Sequence, residues 1–238
     1  MSKAAFPRSP KILKGAFVQL VEDVIGVVPR IVPFQYNPTT LSRTMKVWNP
    51  PEVDEHNRGQ LAPTAQPFDP EEQISLQIEF DASDQLEDSD AIASVFGVAD
   101  RIAALEKLLL PTSGVLGDLL NAAAALLGGG AAKPAVRKTV PVTLFVWGPG
   151  RIVPVRLTRY SIEEQLYHPT LYPLQAKVSL DMQVLTPDVF KCQSGVGAQL
   201  AVAAYDVFRL QQETLALANL ARVAEATFSF SLDLSLSF

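Results

Sequence analysis

The run Ile74-Ser75-Leu76-Gln77-Ile78-Glu79-Phe80-Asp81 alternates apolar and polar residues without a break, and a period of two belongs to a strand with one packed and one wetted side. As a strand it sets Ile74, Leu76, Ile78 and Phe80 against a core and turns Ser75, Gln77, Glu79 and Asp81 to water. The alternation returns in Lys177-Val178-Ser179-Leu180-Asp181-Met182-Gln183-Val184. These two stretches are expected to pair in an antiparallel sheet with one solvated side.

The flanking sequence supplies further strands. Residues 11 to 36 read as a hairpin, Lys14 to Leu20 returning from Gly26 to Tyr36 after a turn near Glu22-Asp23. Pro29 and Pro33 lack backbone donors and place the second run at an edge or make it irregular. Asn37-Pro38 is a turn initiator, because the proline keeps the asparagine out of the helical region. From Trp48 to Pro70 the chain is proline-rich and loop-like, either a solvated linker or a segment ordered by a partner. Val140 to Trp147 and Arg151 to Tyr160 form a hairpin about Gly148-Pro149-Gly150. Ser161 to Tyr172 is a further strand and loop, and Pro187 ends the strand from Gln175 to Leu185.

Helical periodicity falls in three places. Leu86 to Leu110 carries Ile92, Val95, Phe96, Ile102, Leu105 and Leu108 at three and four spacing, follows an acidic run suited to a helix start, and stops at Pro111. Val115 to Leu127 is a second helix, ending at Gly128-Gly129-Gly130; residues 112 to 136 form an insertion or lid. Gly197 to Ala226 is a third helix with a broad apolar stripe. Beyond it Phe228, Phe230, Leu232, Leu234, Leu236 and Phe238 alternate with polar residues, a terminal β-strand that must pair with its own sheet or with another chain. The fold class is therefore mainly β with helical insertions, α+β. Its parts are an arm at 1-10, a β domain at 11-186 with a helical insertion at 82-136, and a C-terminal helix and strand at 187-238.

Charged residues make up 19% of the 238, against 48% hydrophobic, which points to surface buried against other copies or partners. A net charge of -5 argues against a nucleic-acid binder, for phosphate neutralisation needs a basic footprint. The N-terminus makes a poor signal peptide, with two prolines among its first ten residues and no apolar core, so a cytoplasmic protein is expected. Breaks at Pro111, Asp118, Asn121 and the triple glycine leave Leu108 to Ala132 unsuited to span a bilayer.

No catalytic constellation emerges. His56, His168 and Cys192 do not make a zinc set. The triple glycine lacks the Lys-Ser/Thr of a phosphate loop, and Gly195-Val196-Gly197 lacks a third glycine. Asp81, Asp84, Glu87, Asp88 and Asp90 read as a solvated turn and helix start. Trp48 and Trp147 are core or interface anchors. The expectation is a non-enzymatic protein with no cofactor and no metal.

Four motifs, in order, resemble one family: Phe34-Gln35-Tyr36-Asn37-Pro38 after an N-terminal hairpin; Ile74 to Asp81 ending in Phe-Asp; Phe145-Val146-Trp147-Gly148; and Leu171-Tyr172-Pro173-Leu174-Gln175-Ala176-Lys177-Val178. Over residues 12 to 186 the chain is similar to the tube-type domain of contractile injection systems, the phage-tail-like machines, in the baseplate protein that joins the spike hub to the inner tube. The family usually has Arg at the position of Gln175. Many members carry a C-terminal LysM module, which is missing from the residues after 187.

The resemblance implies a tail-tube-like β-barrel or sandwich and a homo-hexameric ring around a wide channel. The ring would sit on the spike hub, below the first ring of inner tube protein and among other baseplate proteins, and would be assembled in the cytoplasm without nucleic acid or membrane. It makes Ser75, Gln77 and Glu79, with Lys177, Ser179, Asp181 and Gln183, candidates to face the lumen. Phe228 to Phe238 would then add as a strand to a neighbouring subunit or partner. The alternatives are the main inner tube subunit and a membrane-associated, pore-forming component.

Overall fold

In the computed structural model the described residues are 13–23, 26–46, 69–112, 139–193 and 195–236. Its strands are β1 (Ala16–Asp23), β2 (Gly26–Pro33), β3 (Leu41–Lys46), β4 (Glu71–Asp81), β5 (Val142–Val146), β6 (Ile152–Tyr167) and β7 (Pro173–Val184). Its helices are α1 (Ser83–Glu87), α2 (Ala91–Phe96), α3 (Ala99–Leu109) and α4 (Val196–Leu236), with a 3-10 turn at Pro187–Phe190 before α4. The strands make one sheet, ordered β2-β1-β5-β6-β7-β4-β3, and every neighbouring pair is antiparallel. The chain is mainly β with helices at one side and at the C-terminus.

The two alternating stretches are neighbours as expected, with Ile74 opposite Met182, Leu76 opposite Leu180 and Ile78 opposite Val178. All six side chains are buried. Each is worth roughly 1.5–3 kcal/mol of transfer free energy, so the six together supply about 9–18 kcal/mol. Phe17, Phe34 and Phe145 join the same core, with centroids 5.3 and 5.4 Å from Phe17 to the other two. The first hairpin forms, with β1 still in strand at Glu22 and Asp23 where the turn is expected, and β2, with Pro29 and Pro33, lies at one margin of the sheet.

Strand β6 contains a bulge between Leu157 and Arg159. Before it Val153, Val155 and Leu157 face the core, and after it Tyr160 and Ile162 do; the extra residue, Thr158, reverses the parity. The hydroxyl of Thr158 donates to the Asp181 carbonyl at 3.1 Å. Strand β5 pairs with β6 only from Ile152 to Val155. From Arg156 to Tyr167, β6 has β7 on one side and, among the described residues, no strand on the other.

Several expectations are corrected. The single helix over Leu86 to Leu110 is three short helices, broken where Ser89 and Gly97 take φ of 57° and 58°. Asp90 starts the second piece, its Oδ1 accepting from the amides of Ile92 and Ala93 at 2.8 and 3.0 Å, as an N-cap does. The apolar stripe holds only in α3, where Ile102, Leu105 and Leu108 are buried, while Ile92, Val95 and Phe96 are exposed. Ser161 onward is a continuation of β6 through Tyr167, not a separate strand.

The terminal β-strand is also not found: α4 runs to Leu236, so Phe228, Phe230, Leu232, Leu234 and Leu236 have helical backbone, and Phe238 lies outside the described residues. Extending a formed helix adds one hydrogen bond per residue without a new nucleus, and no Gly or Pro interrupts α4 after Gly197. Period-two patterning has no ladder to join there. The arm at 1-10, the loop from Trp48 and the helix expected over Val115 to Leu127 lie outside the described residues.

Candidate functional site

Ser75, Gln77 and Glu79 all stand on the exposed side of β4, and Ser179 is exposed on β7. Lys177, Asp181 and Gln183 are half-buried on that same side. The register sets Ser75 opposite Asp181, Gln77 opposite Ser179, Glu79 opposite Lys177 and Gln73 opposite Gln183. Strand β6 extends the rows with Arg159 beside Asp181, Ser161 beside Ser179 and Glu163 beside Lys177, and β3 adds Ser42 beside Ser75. The seven residues singled out by alternation therefore form one hydrophilic face, four strands wide.

Opposite charges alternate across that face. Lys177 stands between Glu79 and Glu163, and the Arg159 guanidinium lies 4.0 Å from the Asp181 carboxylate. Such exposed pairs contribute at most about 1 kcal/mol each; their effect is to leave neither sign in control of the surface. The rows between them carry serine and glutamine. A face of this kind wets readily and holds no charged solute strongly. Among the described residues no group of three or more His, Cys, Asp or Glu side chains is placed to hold a metal ion. Cys192 is exposed, and the His168 Nδ1 meets the Thr170 hydroxyl at 2.8 Å.

Residues from three of the four motifs meet at the end of β4. The Gln35 amide donates to the Asp81 carbonyl at 2.6 Å and accepts from the Asp81 amide at 2.9 Å, acting as one rung of a ladder between β2's exit and β4. It also accepts from the Arg101 guanidinium of α3. Gln175, where the resembled family usually has Arg, donates to the Asp81 Oδ2 at 2.7 Å, so a neutral amide serves this carboxylate. Burial pushes the Asp81 carboxyl up. The hydrogen bonds from the Ser83 hydroxyl and amide and from Gln175 outweigh that and hold it below the ordinary value. These contacts curl the sheet, since β2 and β4 are far apart in strand order.

Phe34, Asn37, Pro38 and Trp147, from two of the motifs, meet at the start of β1. Asn37 accepts from the Gly15 amide at 2.9 Å and donates to the Leu13 carbonyl at 2.8 Å, which closes the turn predicted at Asn37-Pro38. A cavity of about 500 Å³ opens there, lined by Lys14, Phe34, Pro38, Trp147 and Arg151. The Arg151 guanidinium lies 5.0 Å over the Trp147 ring, and Phe145 stacks on Trp147 at 4.7 Å, so Trp147 is an anchor of the core's edge.

Sequence reasoning passed over β3 and its Arg43, which pairs with the buried Glu72 and lies 5.4 Å from the Phe208 ring. It also passed over Asp69, whose Oδ2 accepts from the Tyr205 hydroxyl at 2.8 Å; that bond and burial raise the Tyr205 pKa, burial contributing most. The alternation Leu41-x-Arg43-x-Met45 was the available signal for β3. No protein-family model matches the chain, and no curated protein matches it.

Proposed function

We propose that this chain is a structural, ring-forming subunit of a contractile injection system, the baseplate adaptor that joins the spike hub to the inner tube and starts tube growth. The observation that carries the reading is the four-strand hydrophilic, charge-balanced face backed by a continuous apolar core. In a ring of copies that face would border a water-filled bore. The unpaired side of β6 from Arg156 to Tyr167 and the proline-free margin strand β3 supply backbone donors and acceptors that a neighbouring copy would satisfy. Closing the ring would then complete a tail-tube-like barrel and pair both of these edges, leaving the proline-bearing β2 at the margin. The order of the four motifs adds the resemblance to the adaptor. The absence of nucleic-acid affinity is part of the reading, given the net charge of -5.

Electron microscopy of particles from cells lacking the protein tests it. The expected outcome is sheath and hub material without tube-filled particles; normal sheathed, tube-containing particles overturn the proposal. Quantifying the chain in intact particles separates adaptor from main tube subunit, since an adaptor is present as a single ring and a tube subunit in proportion to particle length.

A second reading, a membrane-associated component, draws on the outer half of α4, where Leu210, Leu215, Leu217 and Leu220 are exposed. No helix among the described residues is long and apolar enough to cross a membrane. Recovery of the protein in the membrane fraction when produced alone would favour this reading, and recovery in the supernatant would count against it.

A further inference from the structure

Helix α2 and the turn between β6 and β7 stand together and expose large apolar side chains. From α2 come Ile92, Val95 and Phe96, 55, 47 and 42% exposed. From the end of β6 come Leu166 and Tyr167 at 62 and 53%, and from the turn Leu171 at 80%, and Tyr172 packs edge-on against Phe96 with ring centroids 5.1 Å apart. Single exposed apolar residues are ordinary on any protein surface; a contiguous group marks an interaction surface.

The group is held in place. The Thr170 hydroxyl donates to the Val95 carbonyl at 3.4 Å and the Val98 amide to the Pro173 carbonyl at 2.9 Å. Gly97 permits this approach, because a Cβ there would lie 2.1 Å from the Pro173 carbonyl oxygen. Within the turn the His168 amide donates to the Tyr172 carbonyl and the Leu171 amide to the His168 carbonyl, both at 2.8 Å. Leu166 and Leu171 sit at φ of 51° and 66°, left-handed backbone that asparagine or glycine takes more readily than leucine. Two leucines kept there with their side chains in water point to a use for those side chains outside the fold.

Charge selects the partner. From Ser83 to Asp100 there are five carboxylates, Asp84, Glu87, Asp88, Asp90 and Asp100, and no Lys or Arg. Glu163 and Glu164 precede the turn, and all seven residues are exposed. An acidic rim repels anionic lipid headgroups and nucleic-acid phosphates, and the same patch on a second copy would oppose like charges. We propose that this end of the molecule is a docking surface for another protein, through a segment that presents apolar side chains flanked by Lys or Arg. The inference rests on α2, the turn and their acidic rim rather than on a ring, and it shares with the ring reading only the end of β6, Glu163 to Tyr167.

The test titrates the full chain with a fluorescein-labelled amphipathic helix bearing Leu on one face and Lys on the other, and with its Leu/Glu counterpart. The Lys probe is expected to bind at least about tenfold tighter than the Glu probe, a gap of about 1.4 kcal/mol. Phe96→Ser combined with Leu171→Asn is expected to lose binding of the Lys probe by a similar factor. Leu171→Asn alone should keep or raise Tm, since asparagine suits the left-handed backbone, so weaker binding by it is not unfolding. The proposal is overturned if the double variant binds like the parent or the Glu probe binds equally well. Recruitment to phosphatidylcholine/phosphatidylglycerol vesicles, or self-association in light scattering, that the double variant abolishes would overturn it too, in favour of a lipid surface or a second copy.

Discussion

The two halves of the sheet solve the problem of a strand's second face differently. In β1 and β5 both faces are covered: Phe17 and Phe145 enter the main core, with the buried polar Gln19 and Thr143 on the same side, while Val142 and Leu144 on the outer side are covered by Ala198 and Ala201 of α4 together with Phe190. In β4, β7 and the upper part of β6 the outer side is left bare and carries Ser, Gln and paired charges. Small residues in the first turns of α4 let the helix lie close on the covered half, where the Gly197 amide also donates to the Glu22 carboxylate at 3.2 Å. The lesson is that cover and composition are matched strand by strand, so the uncovered half is built for water.

The comparison breaks most visibly on the inner face of β4. Ile78→Asp places a charge in the main core and should remove cooperative unfolding, a loss above about 4 kcal/mol, as read by denaturant titration. A folded Ile78→Asp protein would mean that the inner face is not the stabilising one. On the covered half, Ala201→Leu overfills the seat of α4 and should cost about 1–3 kcal/mol. An unchanged midpoint would show that α4 does not contribute to that face.

The polar junction at β4's end should respond next. Gln175→Leu removes a donor to Asp81 and should cost about 1–2 kcal/mol at neutral pH. The Asp81 carboxyl is depressed in the folded state, so its contribution is complete above its unfolded value, near 3.8, and is lost as pH falls through the lower folded value. Gln175→Leu with Ser83→Ala should therefore flatten the acid limb of the stability profile below pH 3.8; an unaltered limb would assign it to other carboxylates. The smallest effect belongs to the bare half: Ser179→Lys should leave the isolated chain's stability within about 0.5 kcal/mol. A larger cost would mean that the face is packed by its own chain.

What the sequence made legible was local and periodic. The β4–β7 pair, the hairpin about Gly148-Pro149-Gly150 and the marginal place of β2 follow from alternation and turn chemistry, which act over a few residues. The break at Gly97 was not legible from apolar spacing, because it answers to Pro173, far along the chain. The end of α4 shows the limit of periodicity: Phe228 to Leu236 alternates as strictly as β4, yet it continues a helix already formed. Of the candidate site, the facing of Ser75, Gln77, Glu79 and their β7 partners could be read, while the half-burial of Lys177, Asp181 and Gln183 could not. The meeting of Gln35, Asp81 and Gln175 could not, for it depends on how the sheet curls.

Thr158 acts as a parity switch for half a hairpin. Because it is the one residue out of step in β6, deleting it would turn Tyr160 and Ile162 outward and drive Ser161 and Glu163 into hydrocarbon. A strand so altered could not keep both β5 and β7 as neighbours. One threonine thus decides which way the long arm of the molecule shows its colours, and insertions or deletions should be far less tolerated there than anywhere in the turn above it.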